Sequence, residues 1–78
     1  MVYIINMDLI EYIRLCLVKK GNISAAELAR RAGITPQNLS NKFSRNKFTS
    51  EDLEKIAEAL DARLEIKFID KESNLPII

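Results

Sequence analysis

The chain has 78 residues, is 47% hydrophobic and 29% charged, and carries a formal net charge of +1; that length accommodates one domain with a modest core, which favours a compact helical fold or one completed by a second subunit. Its single cysteine, Cys16, excludes an intramolecular disulfide framework and a cysteine zinc cluster, and the absence of histidine excludes imidazole catalysis, histidine metal sites and histidine pH switching. No apolar run approaches the roughly 18 residues of a membrane span, and nothing reads as a secretory signal, so the expectation is a soluble, cytoplasmic single domain spanning 1–78, with no membrane partner, metal or cofactor.

The first five residues, Met1-Val2-Tyr3-Ile4-Ile5, are apolar and β-branched and fit a short strand or an extension of the first helix, the strand being the favoured reading. Asp8 with Glu11 has capping-box spacing, and Leu9, Ile13, Cys16 and Leu17 recur on one helical face until Lys19, Lys20 and Gly21 supply a stop. This predicts a first helix over Leu9–Lys20, with Cys16 as a buried, inert thiol. Ser24-Ala25-Ala26-Glu27 is a second capping box, and the helix it opens ends at Gly33. Thr35 as N-cap and Pro36 at the first helical position open a third helix, over Pro36–Ser44, in which Leu39 and Phe43 share the core face. Thr49-Ser50-Glu51-Asp52 opens a fourth, with Leu53, Ile56, Ala57 and Leu60 as its apolar stripe. After Asp61 the period changes: Arg63-Leu64-Glu65-Ile66-Lys67-Phe68 alternates charged and apolar residues and predicts a strand at about 63–69. Such a strand must find an edge, either residues 2 to 5 of its own chain, a second subunit, or both. The predicted architecture is thus mainly α, with four helices at about 8–60 and a C-terminal strand.

Charge is segregated along this framework. Leu28 to Ser50 contains Arg30, Arg31, Lys42, Arg45 and Lys47 with no acidic residue, a balance of +5, whereas Glu51 to Asp61 sums to −4. A basic middle beside an acidic flank fits one face that meets a polyanion and another turned away.

The informative segment is Ala25 to Phe43. Ala29 stands four residues before Gly33, Ile34 follows the glycine directly, and Leu39 lies six beyond it. A small residue lets a second helix cross closely, a glycine allows a left-handed turn, and Leu28, Ile34 and Leu39 fix both helices to the core. This pattern resembles the phage repressor/Cro-like family of helix-turn-helix DNA-binding domains, over roughly Leu9 to Leu60. The chain departs from the family at three places: Ser24-Ala25-Ala26 lacks the frequent Gln near the start of helix two, Lys42 stands at a usually aliphatic position, and Asp61 replaces a common glycine.

The resemblance implies that Pro36 to Ser44 is a recognition helix lying in the major groove of double-stranded DNA. Gln37 and Asn41, one turn apart, are the candidate base readers, because each amide presents a donor and an acceptor side by side to adenine. Ser40 and Ser44 are secondary candidates, and Pro36 is placed to touch a thymine methyl. Ser24, Thr35, Asn38, Lys42, Arg45 and Lys47 are the candidate phosphate contacts, with Arg30 and Arg31 as weaker ones. Five phosphate-binding cations per subunit of a dimer would bound the log–log salt slope at about −9. Leu64, Ile66 and Phe68 are the candidate dimerisation residues. No nucleophile constellation or glycine-rich loop suggests an enzyme. The expected function is a homodimeric DNA-binding regulator, most simply a repressor of phage or mobile-element type. Two alternatives are an antitoxin that also binds a toxin, and a protein-interaction module on the same scaffold.

Overall fold

The computed structural model describes residues 8–78. Four helices follow in order: α1 (Leu9–Lys19), α2 (Ala25–Ala32), α3 (Pro36–Arg45) and α4 (Ser50–Ala59). The mainly helical architecture and all four helices agree with the sequence reading to within a residue or two. The predicted strand at residues 2–5 lies outside the described residues.

Helix starts show which sequence signals act as caps. Thr49 Oγ1 accepts the Asp52 N–H at 3.1 Å and Asp52 Oδ2 accepts the Thr49 N–H at 2.9 Å, a complete capping box. Thr35 Oγ1 accepts the Asn38 N–H at 3.1 Å. Ser24 Oγ likewise accepts the Glu27 N–H at 3.1 Å, but the return half of its predicted box is missing because the Glu27 carboxylate is taken by Arg30 and Arg31. The predicted box at Asp8 does not form either. Asp8 is the N-cap residue of α1 but its side chain makes no capping bond; its Oδ1 instead accepts from Asn46 Nδ2 at 3.4 Å, reaching the end of α3.

Three helix ends share one solution. The residue after each of α2 and α3, and the second after α4, adopts left-handed backbone: Gly33 at φ 72°, Asn46 at φ 51° and Asp61 at φ 54°. Each is followed by a long return bond, Ile34 N–H to Ala29 O, Lys47 N–H to Lys42 O and Ala62 N–H to Ala57 O, which satisfies carbonyls the helix leaves open. Asn and Asp tolerate this conformation better than other non-glycine residues. Asp61 therefore does the work of the family's glycine.

The core joins Ile13 and Leu17 of α1, Leu28 and Ala29 of α2, Leu39 of α3 and Ile56, Ala59 and Leu60 around the end of α4. Leu28 and Leu39 are fully enclosed, and α2 packs on both α3 and α4. Phe43 packs against this cluster from its edge and meets Phe48 in a T-shaped pair, ring centres 5.7 Å apart. Cys16 is half-buried at the core margin rather than enclosed, where it lines a groove between α1, α4 and the segment that follows α4.

The C-terminal segment corrects the sequence reading. Arg63–Phe68 forms no strand among the described residues; a single antiparallel bridge joins Ile69 to Pro76. Alternation is necessary for a half-buried strand but not sufficient, since the ladder also needs a neighbouring edge. Here the chain turns back only at Asn74 and pairs just at its end, leaving Ile66 64% and Phe68 79% exposed.

The caps make a direct test. Thr49→Ala should destabilise the domain by about 1 kcal/mol in urea unfolding, whereas Asp8→Ala should cost no more than about 0.5 kcal/mol.

Candidate nucleic-acid interface

Helix α3 is amphipathic by residue choice. Leu39 is buried, Phe43 and Lys42 are partly covered, and Pro36, Gln37, Asn38, Ser40, Asn41 and Ser44 are exposed. The structure thus puts every predicted base-reading residue on the outer side of one helix. Gln37 Nε2 donates to Asn41 Oδ1 at 3.2 Å. This i,i+4 bond holds the two amides side by side and leaves the Gln37 carbonyl and the Asn41 amino group open, one acceptor and one donor, as adenine's major-groove edge requires.

Beside this pair is an open cleft of about 250 Å³ lined by Asn38, Asn41, Lys42, Arg45 and Lys47. The acidic residues Glu51, Glu54 and Glu58 line a different hollow, together with Lys55 and Arg63, that shares no residue with it.

The cations of the basic window divide into two kinds. Arg30 and Arg31 both bond the Glu27 carboxylate, Arg30 Nε at 2.9 Å and Arg31 Nε at 3.1 Å. These two guanidinium groups, Arg30 first, pull the Glu27 pKa down to about 2, so the acid stays ionised and continues to offset their charge. Arg31 also reaches the Ala59 carbonyl at 3.5 Å, bracing α2 against the end of α4. Lys42 Nζ donates to Asp52 Oδ2 at 3.0 Å in a half-buried pair. Asp52 is held below the ordinary carboxylate range by the Thr49 N–H first and Lys42 second. Among the described residues, Arg45 and Lys47 have no carboxylate within salt-bridge distance.

Lys42 therefore occupies the expected aliphatic position as one half of an ion pair, and Phe43 is the neighbour that packs against the core. Ser24 and Thr35 spend their oxygen lone pairs on capping, which still leaves each hydroxyl hydrogen for a phosphate oxygen. The sequence reading gave Arg14 no role. Its guanidinium lies 5.3 Å from the centre of the Phe43 ring, a cation–π contact that ties α1 to α3. No local motif could reveal it, because the partner lies two helices away.

Comparison with protein families gives a match to a helix-turn-helix family model over residues 13–66. That span includes α2, the Gly33 turn, α3 and α4. No curated protein and no solved structure matches the chain.

Within the Leu28–Ser50 window two cations per subunit, Arg45 and Lys47, stand outside the ion pairs instead of five, which reduces the expected salt response. A dimer binding through Arg45 and Lys47 should show a log–log salt slope near about −4 rather than −9. Arg45→Ala or Lys47→Ala should flatten it by about 2 per dimer, and Lys42→Met should leave it unchanged while lowering stability. Affinity measured across a potassium chloride series checks all three.

Proposed function

This chain belongs to the helix-turn-helix family of Cro/C1-type, repressor-like domains, and on that basis it is a DNA-binding regulator; we propose that it is a dimeric, sequence-specific repressor of phage or mobile-element type, acting in the cytoplasm. The observation that carries this reading is the Gln37–Asn41 amide pair, exposed on α3 and bordered by the Asn38–Lys47 basic cleft. Arg45 and Lys47 grip phosphate at the C-terminal end of α3, and the hydroxyls of Ser24 and Thr35 fix register at the first turns of α2 and α3. Gln37 and Asn41 then read base edges, with Ser40 and Ser44 as neighbours and Pro36 against a thymine methyl.

One α3 per subunit enters each of two major-groove half-sites about one helical turn apart, so the operator is close to a palindrome. Repression follows from occupying promoter DNA that polymerase needs. Dimerisation uses Leu64, Ile66 and Phe68; Ile66 and Phe68 are exposed in one chain and Leu64 half-buried, which leaves an apolar surface that requires cover. The same exposed segment supports a second reading, an antitoxin whose C-terminal residues contact a toxin while α3 holds DNA.

Fluorescence anisotropy on the duplex upstream of its own gene, beside a scrambled duplex, tests the reading. Wild type should prefer the upstream duplex, and Gln37→Ala/Asn41→Ala should lose at least tenfold of that preference, as expected for one joint bidentate contact per half-site at about 1–3 kcal/mol. Binding to neither duplex at low salt would favour a protein-interaction module.

A further inference from the structure

The outer face of α3 is neutral along almost its whole length. Gln37, Asn38, Ser40, Asn41 and Ser44 are exposed and uncharged, while Lys42 is half-buried and gives its Nζ hydrogen to Asp52 Oδ2 at 3.0 Å. Guanine shows two acceptors, N7 and O6, in the major groove and is held best by an arginine or lysine that donates to both. No free cation stands on α3 ahead of Arg45 among the described residues. The reading surface is therefore built on amides, with Gln37 and Asn41 at its centre.

Gln37 Nε2 donates to Asn41 Oδ1 at 3.2 Å. That bond turns the Gln37 carbonyl outward as an acceptor and the Asn41 amino group outward as a donor. An adenine edge is the complement, with an N6–H for the Gln37 oxygen and N7 for the Asn41 amino group. Guanine would set O6 against the Gln37 oxygen, acceptor against acceptor. Cytosine offers a donor without the adjoining acceptor, and thymine an acceptor beside a methyl group.

Adenine N6 carries two hydrogens, of which one is held by the thymine opposite and the other points into the groove. A methyl group on N6 of a paired adenine takes the place of that second hydrogen. It removes the donor that Gln37 needs and lies beside N7, in the path of the Asn41 amino group. The cleft next to Asn41 offers the methyl no apolar side chain, since its other lining residues are Asn38, Lys42, Arg45 and Lys47. An acceptor enclosed at an interface without a donor costs more than the bond it has lost.

Resting on the base-reading role of α3 given above, we propose that the protein discriminates against N6-methyladenine, with Gln37 as the discriminating residue. It binds operators whose read adenine is unmodified and binds weakly to those methylated there. The chemical state of one exocyclic nitrogen in each half-site is thus an input to the regulator. Sensing is confined to that atom, because phosphate contacts at Arg45 and Lys47 carry no information about the bases.

The test uses the full chain and a duplex that wild type enriches from a randomised pool, the read adenine being the position that Asn41→Ala relaxes. Fluorescence anisotropy compares three synthetic forms: unmodified, N6-methylated at the read adenine of both half-sites, and N6-methylated at an adenine outside the motif. Wild type should bind the second form at least about tenfold more weakly than the first, and the third as tightly as the first, which separates the contact from any effect of the methyl on the duplex itself. Gln37→Ala keeps the helix, since residue 37 is exposed and alanine is the best helix former. This variant should bind the first and second forms equally, because it has no carbonyl to leave unpaired and its short side chain makes room for the methyl. Equal binding of both forms by wild type overturns the proposal and leaves the regulator reading intact. Discrimination that persists in Gln37→Ala overturns the assignment to that residue. Enrichment of no motif, or of none with an adenine that Asn41→Ala relaxes, overturns the base reading and this proposal together.

Discussion

The left-handed turn at Gly33 is the constraint from which the rest of the structure follows. It ends α2 after eight residues and lets Ile34 bond back to Ala29, which turns the chain so that α3 leaves across α2 instead of continuing it. The crossing is close because Ala29 is small, and Leu28 and Leu39 are sealed on either side of it. Once Leu39 is buried, helical periodicity leaves Gln37, Ser40, Asn41 and Ser44 no position but the outside. The outward placement of these polar residues is thus a consequence of core packing, on a helix whose rotation is set by one leucine.

Electrostatics divides the cations between holding the scaffold and meeting a polyanion. Glu27 and Asp52 are the agents of that division. Glu27 engages Arg30 and Arg31 on α2, and Arg31 in turn reaches the last turn of α4. Asp52 caps α4 and holds Lys42 of α3 with the same carboxylate oxygen. Glu27 links two cations that would otherwise repel one another, Asp52 ties one cation of α3 to the cap of α4, and each acid sits within a helix's first turn where the dipole favours it. The unpaired remainder, Arg45 and Lys47, lies immediately beside the amide pair. Fewer free cations mean less sequence-independent attraction to DNA, so a larger share of binding falls to contacts that discriminate.

Most of the helical framework was legible in the sequence because caps and apolar spacing act within four residues. Thr35-Pro36, Thr49–Asp52 and the Gly33 turn all form as their residues indicate. Helix α3 was legible for the same reason. What the sequence did not yield were interactions across the fold: Lys42 with Asp52, Arg14 over Phe43, Asn46 with Asp8. Counting charge in a window misjudged the free cations, since Glu27 lies one residue before that window and Asp52 two beyond it. The C-terminal strand failed for a different reason. Its alternation describes a side-chain face correctly, but a strand is a property of two edges, and one chain supplies only the short return at Ile69–Pro76.

The central claim is that α3 reads DNA sequence through Gln37 and Asn41. Its most direct test is selection of bound duplexes from a pool with a randomised centre, run in parallel with wild type and Asn41→Ala. The account predicts that wild type enriches a near-palindromic motif with half-sites about one helical turn apart, and that Asn41→Ala relaxes one adenine position in each half-site while the remainder of the motif persists. Enrichment of no motif by wild type, or of the same motif by both proteins, would contradict it.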